Sequence, residues 1–320
     1  MKGTLTPCKL AFISLIYGLL LVSALFAGCT QSTTSAPATP VATTVPVTAA
    51  ATPVAVATTA VPVTVAPTST PAPTFTPSQS NLVVFTAASL TGASNTIGSS
   101  FTKAYPPTTV SFDLDGTQAL KTQIENGAYA DVLISASNTY TTALKNEGYL
   151  VNSSVKPLTT NYVIVILPAS NPANIQSLAD LAKPGVKIAM EDKTVPAGTA
   201  TIAVLNNLAN STYGQSWKNA TISNVVTYEL SEPAVATKVA LGEVDAGFVY
   251  QSTATAAASG TYQSITIPQK YNYLQTYTIG ILQESTNKPQ AAWFEQYMLS
   301  SAGQNILSEY GFTPVVSHYK

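Results

Sequence analysis

The chain of 320 residues carries 14 Lys+Arg against 15 Asp+Glu and one His, a formal net charge of -1, and only 9% of its residues are charged. There is no basic stripe, which excludes nucleic acid as a partner. Two cysteines and one histidine are too few for a zinc site or a disulfide framework, and His318, in the terminal tail, is poorly placed to serve as a catalytic base.

Residues 1–29 read as an export signal. Lys2 and Lys9 give a positive start, residues 10–27 are apolar, and the run Leu25-Phe26-Ala27-Gly28-Cys29 places small residues before a cysteine, as in a lipobox. Cleavage there makes Cys29 a lipid anchor, with the rest of the chain on the extracytoplasmic face of the cell membrane. The alternative is a plain transmembrane anchor, for which about 18 apolar residues suffice. Residues 30–80 are built from Thr, Ala, Pro, Val and Ser with no helical or strand period, and prolines block regular pairing. They read as a disordered tether. Asn152, Asn210 and Asn219 each open an N-glycosylation sequon, in keeping with export.

The globular part begins near Asn81, and its length suits two lobes better than one core. Apolar runs predict strands over 82–85, 110–114, 132–135, 162–167, 186–190, 225–228, 246–250 and 274–282. Between and after them, helices are predicted over 90–104, 118–126, 139–147, 198–208, 232–241, 289–299 and 302–309. The run 162–167 is continuously apolar, as expected of a strand buried on both faces. Such alternation predicts an α/β protein with mostly parallel sheets.

Four strand-to-helix junctions share one chemistry: Ala88-Ser89, Asp115-Gly116-Thr117, Val195-Pro196-Ala197-Gly198 and Ser231-Glu232-Pro233. Small or hydroxyl residues open a helix at each, and none carries Lys or Arg. Ser89 fits two readings, an ordinary N-cap or one corner of an anion site at a helix start. In open α/β sheets ligands bind beyond the carboxyl ends of strands. Four such starts converging would therefore offer neutral donors to a dehydrated oxyanion.

These pieces resemble the molybdate-binding proteins of molybdate ABC importers. The resemblance is carried by Val84-Phe85-Thr86-Ala87-Ala88-Ser89-Leu90, by Gly116-Thr117-Gln118-Ala119-Leu120 and by residues 123–136. It continues through Val195-Pro196-Ala197-Gly198, residues 241–250 and the ending Tyr310-Gly311-Phe312. It implies a type II periplasmic-binding fold, with lobe 1 from 81–161 plus 272–320 and lobe 2 from 162–271, joined by a hinge and closing on molybdate or tungstate. It further implies a monomeric receptor with no cofactor that delivers its ligand to an ABC permease.

The resemblance also assigns the site. Ser89 and Thr117 bind through hydroxyl and backbone N–H, Ala197 through its N–H and Tyr250 through its hydroxyl. A further backbone donor falls on Glu232 by counting back from Tyr250. A carboxylate beside a dianion repels it, so Glu232 is expected to turn its side chain away, or a neighbour is the donor. Without the resemblance Tyr250 reads as a buried strand-end residue.

Other candidate motifs have plainer readings. Ser100–Lys103 and Ser153–Lys156 match the Ser-x-x-Lys spacing of Ser-Lys hydrolases, but the companion motifs are missing. Asp113 and Asp115 share a strand face and read as surface polarity or hinge contacts, with an acid pair or metal ligands as the sharper alternative. Trp217 and Trp293 read as packing residues. The competing functions are a receptor for sulfate, phosphate or thiosulfate and, from another class, a cell-surface hydrolase.

Overall fold

Two mixed sheets, with the carboxyl ends of their parallel strands turned to one cleft, organise the chain. The computed structural model describes residues 80–315. The signal and anchor with Cys29, nearly all of the 30–80 tether, and His318 lie outside the described residues.

In chain order the strands are β1 (Asn81–Ala87), β2 (Thr109–Asp115), β3 (Val132–Ser135), β4 (Lys156–Asn161), β5 (Val163–Pro168), β6 (Ile188–Glu191), β7 (Val225–Glu229), β8 (Ala246–Tyr250), β9 (Tyr262–Thr266), β10 (Gln275–Ile281) and β11 (Thr313–Pro314). The helices are α1 (Thr91–Ala104), α2 (Thr117–Glu125), α3 (Asn138–Asn146), α4 (Pro196–Leu208), α5 (Gly214–Ser223), α6 (Glu232–Ala240), α7 (Gln251–Ala256), α8 (Lys288–Leu299) and α9 (Ser301–Glu309). The first sheet has the order β11-β4-β10-β3-β1-β2 and the second β7-β6-β8-β5-β9.

The expected predominance of parallel pairing is not met. Strands β2, β1 and β3 run parallel, as do β7, β6 and β8, whereas β10, β4 and β11, and likewise β5 and β9, pair antiparallel. The cause is connectivity. A parallel pair needs a crossover element, and the β–helix–β repeats supply one. The chain also passes from one sheet to the other twice, after β4 and before β10, and the strand that follows each passage, β5 and then β10, runs opposite to the parallel set of its sheet. Asn272 ties the passages together: its Oδ1 accepts from the Val163 N–H (3.1 Å) and its Nδ2 donates to the Val163 carbonyl (2.8 Å).

Burial follows the sequence pattern. All of β3 and β5 is buried, as continuous apolar runs require of strands covered on both faces. A stack of Phe101, Tyr105, Phe294 and Tyr297 fastens α1 to α8. At the join between the sheets, Tyr277 packs edge-on against Tyr250 (6.1 Å) and Phe312 (5.4 Å). Trp217 is buried and donates to the Leu178 carbonyl at 3.0 Å. Among the described residues no helix is long and apolar enough to cross a membrane.

Helix α6 reaches the cleft only because it lies close on β8. A Cβ on Gly247 would stand 2.7 Å from Val239 Cγ2 and 2.9 Å from Val235 Cγ1. Gly247→Ala should therefore cost about 1–3 kcal/mol through overpacking, read as a lowered thermal midpoint. An unchanged melt would mean that α6 has room to shift.

Candidate functional site

The carboxyl ends of β1, β2, β3, β6 and β8, with the loop after β7, meet around one small pocket. From the first sheet it is lined by Ala87, Ala88, Ser89, Gly116, Thr117 and Ala136, and from the second by Glu191, Val195, Pro196, Ala197, Glu232 and Tyr250. All five residues singled out from the sequence, Ser89, Thr117, Ala197, Glu232 and Tyr250, are in that lining, as is Glu191, which was not. No lysine, arginine or histidine lines it.

The four junctions build the lining in different ways. Ser89 sits in a short 3-10 turn before α1 and does not cap it; its Oγ instead meets the Tyr277 hydroxyl at 2.7 Å. Thr117 opens α2, and its Oγ1 accepts from the Ala136 N–H at 3.0 Å, which leaves its own proton to give. Val195 precedes α4, whose start folds back hard on the end of β6. A Cβ on Gly198 would stand 2.0 Å from the Asp192 carbonyl oxygen, so only glycine allows that approach. Ser231 holds the N-cap position of α6 without a side-chain bond, and Glu232 is the first residue of the helix.

Glu232 does not turn away. Its side chain is buried, and its Oε1 accepts from the Tyr250 N–H at 2.6 Å and the Thr253 hydroxyl at 3.2 Å. The carboxyl therefore uses the opening helix and the strand end beside it as its own donors. Burial pushes its pKa up to about 7, against the pull of bonds from Tyr250, Thr253 and Ser89. Glu191, 2% exposed, ends β6 in the same pocket, and its Oε2 is buried with no partner. Burial and then the Glu232 charge hold its pKa well above the carboxylate range, opposed by the backbone N–H groups of Ala197 and Gly198. Burial thus favours the protonated form of Glu191, which has an O–H to donate.

Tyr250 is wholly buried, and its hydroxyl donates to Gln275 Oε1 at 3.1 Å. Burial pushes its pKa well above the usual phenol value, so it is a permanent O–H. Two bonds join segments of the two sheets next in sequence to that lining or near it. Gln118 Nε2 donates to the Leu230 carbonyl at 3.0 Å, and the Tyr140 hydroxyl donates to the Thr194 carbonyl at 2.5 Å.

The other candidates are elsewhere. Asp113 and Asp115 lie on β2, at the edge of its sheet, half-buried, and Asp115 Oδ1 accepts from the Gly116 N–H. No group of metal-ligating side chains occurs among the described residues. Lys156 pairs with Glu295 at 3.1 Å, and neither Ser-x-x-Lys motif touches the pocket.

The chemistry is that of a small polar cage made of hydroxyls, helix-start N–H groups and two protonatable carboxyls. It suits an oxyanion once the carboxyls are neutral, because hydrogen bonds to a charged acceptor contribute about 1.5–3 kcal/mol each. The empty cage has its own signature. In the folded state Glu232 binds protons more tightly than the ordinary carboxyl of the unfolded chain, so its contribution favours folding less as pH rises from about 4.5 to about 7, then levels off. The loss amounts to about 3 kcal/mol. Glu232→Gln should remove that slope and melt several degrees above the parent at about pH 8. Parallel melting curves for the two proteins across pH would contradict the buried-acid assignment.

Comparison with known proteins identifies the family and the fold. Residues 82–313 match the model of the bacterial extracellular solute-binding protein family. The molybdate-binding protein ModA of Mycobacterium tuberculosis is 32% identical over 232 residues, covering 72% of this chain and 84% of its own. Among solved structures, the substrate binding domain of a putative molybdenum ABC transporter from Clostridium difficile superposes with a TM-score of 0.57 at 28% identity, covering 74% of this chain and 99% of its own. The periplasmic molybdate-binding protein of Azotobacter vinelandii shares the fold, with a TM-score of 0.63 at 23% identity over 72% of this chain and 98% of its own. The architecture is the type II periplasmic-binding fold, and the chain belongs to the bacterial extracellular solute-binding protein family.

Proposed function

We propose that this protein is a receptor that captures molybdate, or tungstate, in the cleft between its two sheets and delivers it to an ABC permease. One observation carries the reading. The five positions that the molybdate-binding resemblance picks out from distant parts of the sequence, Ser89, Thr117, Ala197, Glu232 and Tyr250, line a single pocket without a lysine, arginine or histidine. The 32% identity to a molybdate-binding relative supports the same ligand.

The donors come from both sheets, so filling the pocket and closing the cleft are one event. On this reading lobe 1 comprises 81–161 plus 272–320 and lobe 2 comprises 162–271, and the Asn272–Val163 tie serves as the hinge. Gln118 and Tyr140 act as latches of the closed form. Selectivity follows from size: molybdate and tungstate are larger than sulfate, and a cage fitted to them leaves sulfate with long bonds. The receptor works as a monomer, is not an enzyme, needs no cofactor, and is held by Cys29 to the extracytoplasmic face of the membrane on its Thr/Ala/Pro-rich tether.

Calorimetric titration of one sample with molybdate, tungstate and sulfate tests the reading. Molybdate and tungstate should bind far more tightly than sulfate, and sulfate binding of equal strength would overturn the assignment. Tyr250→Phe should weaken molybdate binding severalfold, about 1 kcal/mol or more; an unaltered affinity would remove that hydroxyl from the cage. Gln118→Ala should raise the dissociation rate severalfold with little effect on association. Stopped-flow release would show otherwise if that contact is incidental.

A further inference from the structure

Two acids with no base beside them are the least expected feature of a pocket read as an anion cage. Glu191 and Glu232 are 2% and 3% exposed and stand on the ends of different elements, yet both line the cavity. A dianion joined there by two carboxylates would bring only like charges together, away from water, and like charges so placed cannot all remain ionised. A neutral cage of donors needs no such acids, so their presence asks for a role.

Glu191 has a buried oxygen with no partner. As a carboxylate oxygen it would face the anion as a second acceptor. As an O–H it meets an oxyanion oxygen as donor to acceptor, and only the protonated form fits a filled pocket. Glu232 presents a competition. Its carboxylate accepts from the Tyr250 N–H and the Thr253 hydroxyl and draws on the Ser89 hydroxyl, which the anion also needs. Protonation weakens that hold and frees Ser89 for the ligand.

We propose that oxyanion capture in this pocket is proton-linked, with the Glu191–Glu232 pair taking up about one proton from solvent as the anion enters. The counter-charge that other anion sites draw from lysine or arginine is here supplied as a proton on a carboxyl. The inference rests on the receptor reading. The coupling is reciprocal: the anion raises the pair's affinity for the proton, and the proton raises the affinity for the anion.

The remaining ionisable groups on the surrounding elements do not substitute for the pair. Tyr250 on β8 and Tyr277 on β10 are buried and held protonated. Asp192, beyond β6, is bonded to Thr194 and held below its ordinary value. Asp115 on β2 is bonded to the Gly116 N–H, and Glu229 on β7 faces Lys238 at 3.7 Å. Glu232, with a pKa of about 7, is the group whose charge changes in the working range, while burial favours the protonated form of Glu191.

The test is calorimetry of the intact protein with sodium molybdate in buffers of low and high ionisation enthalpy, from about pH 6 to about pH 9. The apparent binding enthalpy should differ between buffers by an amount corresponding to uptake of about one proton at about pH 8, and Kd should rise up to about tenfold per pH unit above pH 7. Glu232→Gln should abolish the uptake and flatten the pH profile. The wild-type buffer comparison decides the matter by itself if that variant does not fold. Molybdate binding with the same heat in both buffers and a flat Kd overturns the proton linkage and leaves the receptor reading standing. No molybdate binding at any pH overturns both.

Discussion

A charged ligand held away from water without a fixed counter-charge is the constraint on which the rest of this structure depends. The low count of charged side chains is not a deficiency to be made up elsewhere; it is visible in the pocket, where no lysine, arginine or histidine stands. Everything attractive there must come from dipoles: hydroxyls, backbone N–H groups and helix starts. Such groups are individually weak and directional, so they must be numerous and fixed in place. Two sheets whose carboxyl ends face one another meet that demand, because each strand end delivers one short, rigid turn to the same volume.

Rigidity of those turns comes from close approach. The start of α4 can lie over the end of β6 only with glycine at 198, and α6 can lie on β8 only with glycine at 247. The same approach that aims N–H groups inward buries Glu191, because folding α4 back on β6 seals the end of that strand. The acid pair is thus a consequence of the packing that makes the cage, and the physics of burial then decides its charge state. Glu232 is bound into the same arrangement through the Tyr250 N–H, which joins α6 to the end of β8 directly. Neither carboxyl is free to leave without opening the cage, so both must be accommodated when a ligand enters.

Much of this was legible in the sequence. The fully buried strands β3 and β5 announce themselves as apolar runs, and the helices with strong starts appear within a residue or two of their expected limits. The five site residues came from junction chemistry and resemblance together and lie in one pocket. What escaped was set by tertiary contact. β4 and β9 carry mixed polar residues because one lies near the passage between sheets and the other at a sheet edge, so neither shows a clean period. α5 starts at a glycine with a positive φ, and α7 is six residues long, too short for a periodic signal. Glu191 precedes Asp192 and Lys193, so the run reads as the solvated end of a strand; nothing local says that α4 will fold over it. The available signal was Gly198, whose need for a bare Cα marks a close approach.

The setting of Glu232, buried and bonded to the Tyr250 N–H, bears on an electrostatic premise. A carboxylate beside a dianion is repelled, and from that premise the side chain turns away or a neighbouring residue is the donor. The premise assumes that the group stays ionised. Burying a carboxyl costs less when it takes up a proton than when it keeps its charge, and at this site α6 and β8 leave it nowhere else to go. Repulsion is relieved by changing the charge and not the position. An acid in such a pocket is therefore part of the electrostatics of capture, and the proton is the mobile member that lets one set of fixed dipoles serve both the empty and the filled state.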